Sequence, residues 1–166
     1  EAYGKHYTIG YPHEEYESGR PRLTSPLYGR LKKQGAVFGS KLGWERPNWF
    51  ARKGEVPEDK YAMGRQNWFA AVGEEHTHVR THVGVFDQTS FAKYEVRGKD
   101  AAQALEWMCA NRVARDVGRL TYTQLLNSRG GIEADLTVAR VVEDRFYIVT
   151  GIGFRSNDFG WFKEHL

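Results

Sequence analysis

Apolar and polar residues alternate along Ile132-Glu-Ala-Asp-Leu-Thr-Val138, the two-residue period of a strand with one buried face. Ile132, Ala134, Leu136 and Val138 form the apolar row, and Glu133, Asp135, Thr137 and Ala139 form the opposite one. Upstream, the stretch from Leu120 to Asn127 reads as a second strand, and Arg129-Gly-Gly131 supplies the positive φ angles of a tight hairpin. Asn127 favours the same turn. Asp135 is thus a lone carboxylate on the face away from the apolar row.

The helical period appears elsewhere. Ser25 reads as an N-cap and Pro26 as the first position of a helix Leu27–Gln34, stopped by Gly35. Trp68, Phe69, Val72, His76, Val79 and Val83 predict a helix ending near Gly84. Ala101, Ala104, Leu105 and Met108 predict a buried stripe on a helix running from an Asp100 cap to Ala110. Strands are expected at Ala36–Trp44, Val85–Thr89, Phe91–Arg97 and Phe146–Thr150, with a loop from 45 to about Gly64. Ser156 or Asn157 caps a last helix. Residues 1–23, with Tyr3, Tyr7, Tyr11 and Tyr16 among Gly, Pro and Glu, read as an extended connector, and 24–166 as domain. Antiparallel strands with interspersed helices make the class α+β.

Composition narrows the function. A chain of 166 residues with 40% hydrophobic content can bury a core. The net charge of +3 suits a polyanionic ligand, but no Lys/Arg stripe is interleaved with stacking aromatics, which argues against nucleic acid. No apolar run is long enough to span a membrane. Cys109 is the single cysteine, so neither an internal disulfide nor a cysteine-based zinc site is available. With Leu105, Trp107 and Met108 beside it, Cys109 reads as an inert thiol on a helix packing face. His78 and His82 have the i, i+4 spacing of metal ligands, but His78-Val-Arg-Thr-His82 lacks a catalytic Glu and carries Arg80. A solvated helix face is the better reading. Thr150-Gly-Ile-Gly-Phe154 lacks the third glycine of a dinucleotide loop.

Tyr122-Thr-Gln-Leu-Leu-Asn127 followed by Gly130-Gly-Ile-Glu-Ala-Asp-Leu-Thr-Val138 resembles the folate-binding core of the glycine-cleavage T-protein (aminomethyltransferase) superfamily. Val85–Val96 and Cys109–Val113 fit the same core. Gly39-Ser-Lys-Leu-Gly-Trp-Glu-Arg-Pro-Asn-Trp-Phe50 is similar to the flavoprotein branch with dimethylglycine and sarcosine dehydrogenases. The resemblance implies the first half of an aminomethyltransferase-type fold, within a longer polypeptide whose upstream flavin domain binds FAD and oxidises a small N-methyl amine. Tetrahydrofolate would then capture the carbon as methylenetetrahydrofolate, in the cytoplasm or the mitochondrial matrix.

It further implies that Asp135 lies beside N10 of the folate, where a partly buried carboxylate would take up a proton. Tyr122 would stack on the ligand, and Ser90, Phe91 and Thr150 would line its site. Thr89-Ser-Phe91 departs from the Ser-His-Met run of typical T-proteins, which counts against an aminomethyl-lipoyl reaction. Two other readings remain: a non-catalytic relative acting as a regulatory scaffold, and a free-standing aminomethyltransferase.

Overall fold

The computed structural model describes residues 2–166, and Glu1 lies outside them. The described residues divide into two compact units, one ending at Ser90 and the other starting at Phe91.

The second unit is built on a four-stranded antiparallel sheet. Its strands are β3 (Ala92–Arg97), β4 (Leu120–Leu126), β5 (Ile132–Val142) and β6 (Arg145–Thr150), in the order β3-β6-β5-β4. Helices α4 (Ala101–Met108) and α5 (Arg155–His165) complete the unit. The two-residue period decides which side is dry. Leu125, Ala134, Leu136, Val138, Phe146 and Ile148 point inward and meet Leu105 and Met108 of α4 and Phe162 of α5. The opposite face of the sheet carries Tyr122, Gln124, Asp135, Thr137 and Tyr147, none of them buried. This is the α+β architecture that the alternation predicts.

The first unit holds a short helix α1 (Ala2–Lys5), helix α2 (Tyr28–Lys33), the hairpin β1 (Ala36–Lys41)–β2 (Trp44–Phe50) and helix α3 (Phe69–Thr81). Its core is a small cluster, with Val37, Trp49 and Ala71 at the centre and Trp68 and Val72 packed on it. Arg20 clamps the hairpin: its guanidinium donates to both Glu45 carboxylate oxygens, at 2.9 and 2.7 Å, and to the Phe38 carbonyl at 2.8 Å.

Several expectations are corrected. Residues 45–50 are strand, not loop, because Pro47 sits in a two-stranded pair beside a register shift at Val37/Phe38, where no ladder donor is required of it. Val85–Thr89 is not a strand. Asp87 accepts the Thr89 amide at 3.0 Å and bonds the Ser25 hydroxyl, and this local turn competes with extended pairing. Helix α3 ends at Thr81, three residues early. The hydroxyls of Thr77 and Thr81 bond back to the Gly73 and Thr77 carbonyls, His82 turns extended, and Val79 and Val83 are exposed.

Helix α2 starts at Tyr28 with Leu27 in the cap position, and the Ser25 hydroxyl instead accepts the Leu27 amide at 3.1 Å. Helix α4 stops at Met108 because Cys109 turns extended and bridges Leu125. Asp100 holds its cap position without a side-chain bond. Trp107 does not share the packing face: it is 83% exposed, one position off the Ala101–Leu105–Met108 stripe. Neither Ser156 nor Asn157 caps α5, which continues from a 3-10 turn at Ile152–Phe154. Ala2–Lys5 form one helical turn inside the stretch expected to be extended. Ile132, expected in the buried row, is 69% exposed next to the register shift at Leu125/Leu126.

No helix among the described residues is long and apolar enough to cross a membrane.

Candidate active site

The hairpin register sets the site. Asn127 closes the turn: its Oδ1 accepts the Arg129 amide at 3.0 Å and the Gly131 amide at 2.9 Å, and its Nδ2 donates to Glu133 at 2.7 Å. Gly130 takes φ +78°, a conformation that penalises a side chain. This closure puts Gln124 opposite Asp135 and Tyr122 opposite Thr137. Tyr122 and Asp135 are therefore diagonal neighbours on the open face, and the Tyr122 hydroxyl donates to Asp135 Oδ2 at 3.1 Å.

Both side chains are exposed, Tyr122 at 58%. The partial burial expected of Asp135 is absent: α4 and α5, the helices of its unit, pack on the inner face of the sheet. The pair offers a flat aromatic face and a carboxylate with one oxygen uncommitted. Such a combination can stack on a heterocycle and accept a proton from a nitrogen at its edge.

The other candidate residues fall elsewhere. Thr150 is buried on the inner side, where its hydroxyl donates to Asp158 Oδ2 at 2.5 Å and lies 3.4 Å from the Asp135 carbonyl. It touches the Asp135 strand from behind. Phe91 opens the second unit, half-buried just before β3. Ser90 closes the first unit, buried, with no hydrogen-bond partner for its hydroxyl.

Gln124 is a candidate site residue that the sequence does not announce. Only the hairpin count, with its register shift at Leu125/Leu126, places it across from Asp135.

Burial pushes the Cys109 thiol up to about 11, which keeps it protonated and inert as expected. Burial, and then the charge of Asp158, raises the Tyr94 phenol above its ordinary range. The His78 and His82 rings stack in parallel, centroids 4.7 Å apart. Among the described residues no group of three His, Cys, Asp or Glu side chains is placed to hold a metal. Strand β6 is antiparallel to both neighbours, so the loop after it does not belong to a βαβ unit. A cavity of about 610 Å³ in the first unit is lined by Leu31, Phe50, Val72, Val79 and Phe86 among others, and none of the candidate residues lines it.

An α+β sheet with one open face bearing a Tyr–Asp pair after a glycine hairpin can be set beside known proteins. Residues 27–166 match the GCVT N-terminal domain. Mitochondrial dimethylglycine dehydrogenase of Rattus norvegicus is 36% identical over 165 residues, covering 99% of this chain and 19% of that protein. The 4-methylaminobutanoate oxidase (formaldehyde-forming) of Paenarthrobacter nicotinovorans is 40% identical over 150 residues, 90% of this chain and 18% of its own length. The crystal structure of the glycine cleavage system aminomethyltransferase T from Bartonella henselae matches with a TM-score of 0.69 at 30% identity, covering 87% of this chain and 35% of that one.

The chain belongs to the GCVT N-terminal domain family. Its homology is to the aminomethyltransferase module of the dimethylglycine and sarcosine dehydrogenases, and it spans about a fifth of the length of those relatives.

Proposed function

We propose that the chain is the N-terminal part of a tetrahydrofolate-binding module, working in cis with an upstream FAD-binding domain that oxidises a small N-methyl amine. The observation that supports it is the Tyr122–Asp135 pair, 3.1 Å apart on the open face of the sheet. In this reading residues 1–23 connect the two domains and 24–166 begin the folate module, in the cytoplasm or the mitochondrial matrix.

The residues present suit the ligand: an exposed ring to stack on and an exposed carboxylate beside it. Tetrahydrofolate, when bound, supplies the N5 and N10 nitrogens that hold a one-carbon unit. Tyr122 would offer its ring to an aromatic ring of the ligand, and its hydroxyl fixes one oxygen of Asp135. The other oxygen of the exposed Asp135 carboxylate would accept the proton that leaves nitrogen during capture. Gln124, across the ladder from Asp135, faces the same ligand with a carboxamide. Phe91, at the start of the same unit, is assigned to the edge of the site, and Thr150 contributes from behind by supporting the strand of Asp135. Keeping oxidation and capture in one polypeptide retains a carbon that would otherwise leave as formaldehyde.

Calorimetric titration of tetrahydrofolate into the natural full-length protein tests the assignment. Tyr122→Leu is expected to weaken binding about tenfold through loss of stacking, and Asp135→Asn to bind nearly as the parent does. Folded parent protein that takes up no tetrahydrofolate would refute the reading.

A further inference from the structure

Strand β4 is an edge of its sheet, and its outward carbonyls need partners. Cys109–Asn111, the segment leaving α4, supplies them. Cys109 bridges Leu125, and the Ala110 amide donates to the Gln124 carbonyl at 2.9 Å. At the next position the backbone departs and a side chain takes over. The Asn111 amide donates to the Thr123 hydroxyl at 3.0 Å, and Asn111 Nδ2 donates to the Tyr122 carbonyl at 2.9 Å. Thr123 is fully buried, so the first of these bonds is anchored in the core.

The segment is itself held from below. Glu106 of α4 accepts the Val113 and Ala114 amides on one oxygen, at 2.5 and 2.6 Å. The result is a short pseudo-strand whose last rung, at Tyr122, is a carboxamide.

We propose that Asn111 is a positioning residue for Tyr122, fixing the strand so that the phenol reaches Asp135 on the open face. This rests on the folate reading above. Asn111 makes its contacts on the backbone edge of β4, and the ring that it governs projects from the outer face. A donor is required there. Aspartate has the same shape but no N–H, and it sets an oxygen against the Tyr122 carbonyl.

The test is a double-mutant cycle on the natural full-length protein, titrated with tetrahydrofolate, with thermal unfolding to confirm that each variant is folded. Asn111→Asp is expected to weaken binding about tenfold, the value of one lost hydrogen bond plus the repulsion left behind. In a Tyr122→Leu background the same substitution is expected to cost less than about twofold, because the group through which it acts is gone. An equal loss in both backgrounds, or no loss from Asn111→Asp alone, would overturn the assignment while leaving the folate reading intact. No binding by the folded parent would remove the folate reading, and this inference with it.

Discussion

Tyr122 and Asp135 stand thirteen residues apart on neighbouring strands, joined by a single hydroxyl–carboxylate bond. Both are exposed, so that bond contributes little to folding. Tyr122→Phe is expected to change unfolding free energy by less than about 1 kcal/mol in urea titrations. Cys109 behaves in the opposite way, because burial controls it. Its thiol titrates near 11 rather than the ordinary 9.0, so between those values the folded state holds a proton that the unfolded state has lost. Its contribution to stability is complete below about pH 9 and is lost as the pH rises through 11. Stability curves for parent and Cys109→Ala protein should therefore converge over that range. At pH 8, alkylation of Cys109 should be slow in folded protein and fast in denaturant.

The sequence places Asp135 on the outer row by parity alone, and the structure agrees. The same parity rule, applied to 150, puts Thr150 inside against Asp158, since Phe146, Ile148 and Thr150 share one face of β6. Which of these strands lie side by side is not written locally. That is why Gln124 and Asn111 emerge only from the three-dimensional pairing.

At the level of elements, the hairpin and α4 hold the site in place. Asn127 bonds two turn amides and Glu133, and Asn127→Ala is expected to cost about 1–2 kcal/mol by denaturant unfolding. Leu105 is fully buried at the centre of the larger core, and Leu105→Ala should cost about 2–5 kcal/mol. Both elements are legible from the sequence because period and turn chemistry agree there. The readings at 45–50 and 85–89 fail for a common reason: a local signal stands against a non-local one. Pro47 looks like a breaker, yet a two-stranded hairpin spares its missing N–H. Val85, Phe86 and Asp87 look like a strand, yet a carboxylate-capped turn holds the backbone away from any ladder. Trp107 shows the same limit in a helix, where one step of 100° separates a buried Met108 from an exposed indole.

Across the whole molecule the two units differ in the size of their cores. The second unit buries residues from three strands and two helices in one cluster, whereas the first centres on Val37, Trp49 and Ala71. Amide hydrogen exchange should therefore be slowest in β5 and β6 and distinctly faster in β1 and β2. Uniform protection across both sheets would contradict this. Fold class and family are readable at this scale because the hairpin motif, its glycines and the flanking strands occur in one order along the chain. The partition into units at Ser90 and Phe91 is not, since no glycine or proline run marks it.

In the proposed folate reading, Asp135 helps to transfer the one-carbon unit. That role is tested most directly by following the product of the natural full-length protein oxidising sarcosine or dimethylglycine with tetrahydrofolate present. The parent should yield methylenetetrahydrofolate. Asp135→Asn should oxidise the amine at an undiminished rate yet release the carbon mainly as free formaldehyde, with capture slowed about a hundredfold. The same ratio of methylenetetrahydrofolate to formaldehyde from parent and Asp135→Asn would contradict it.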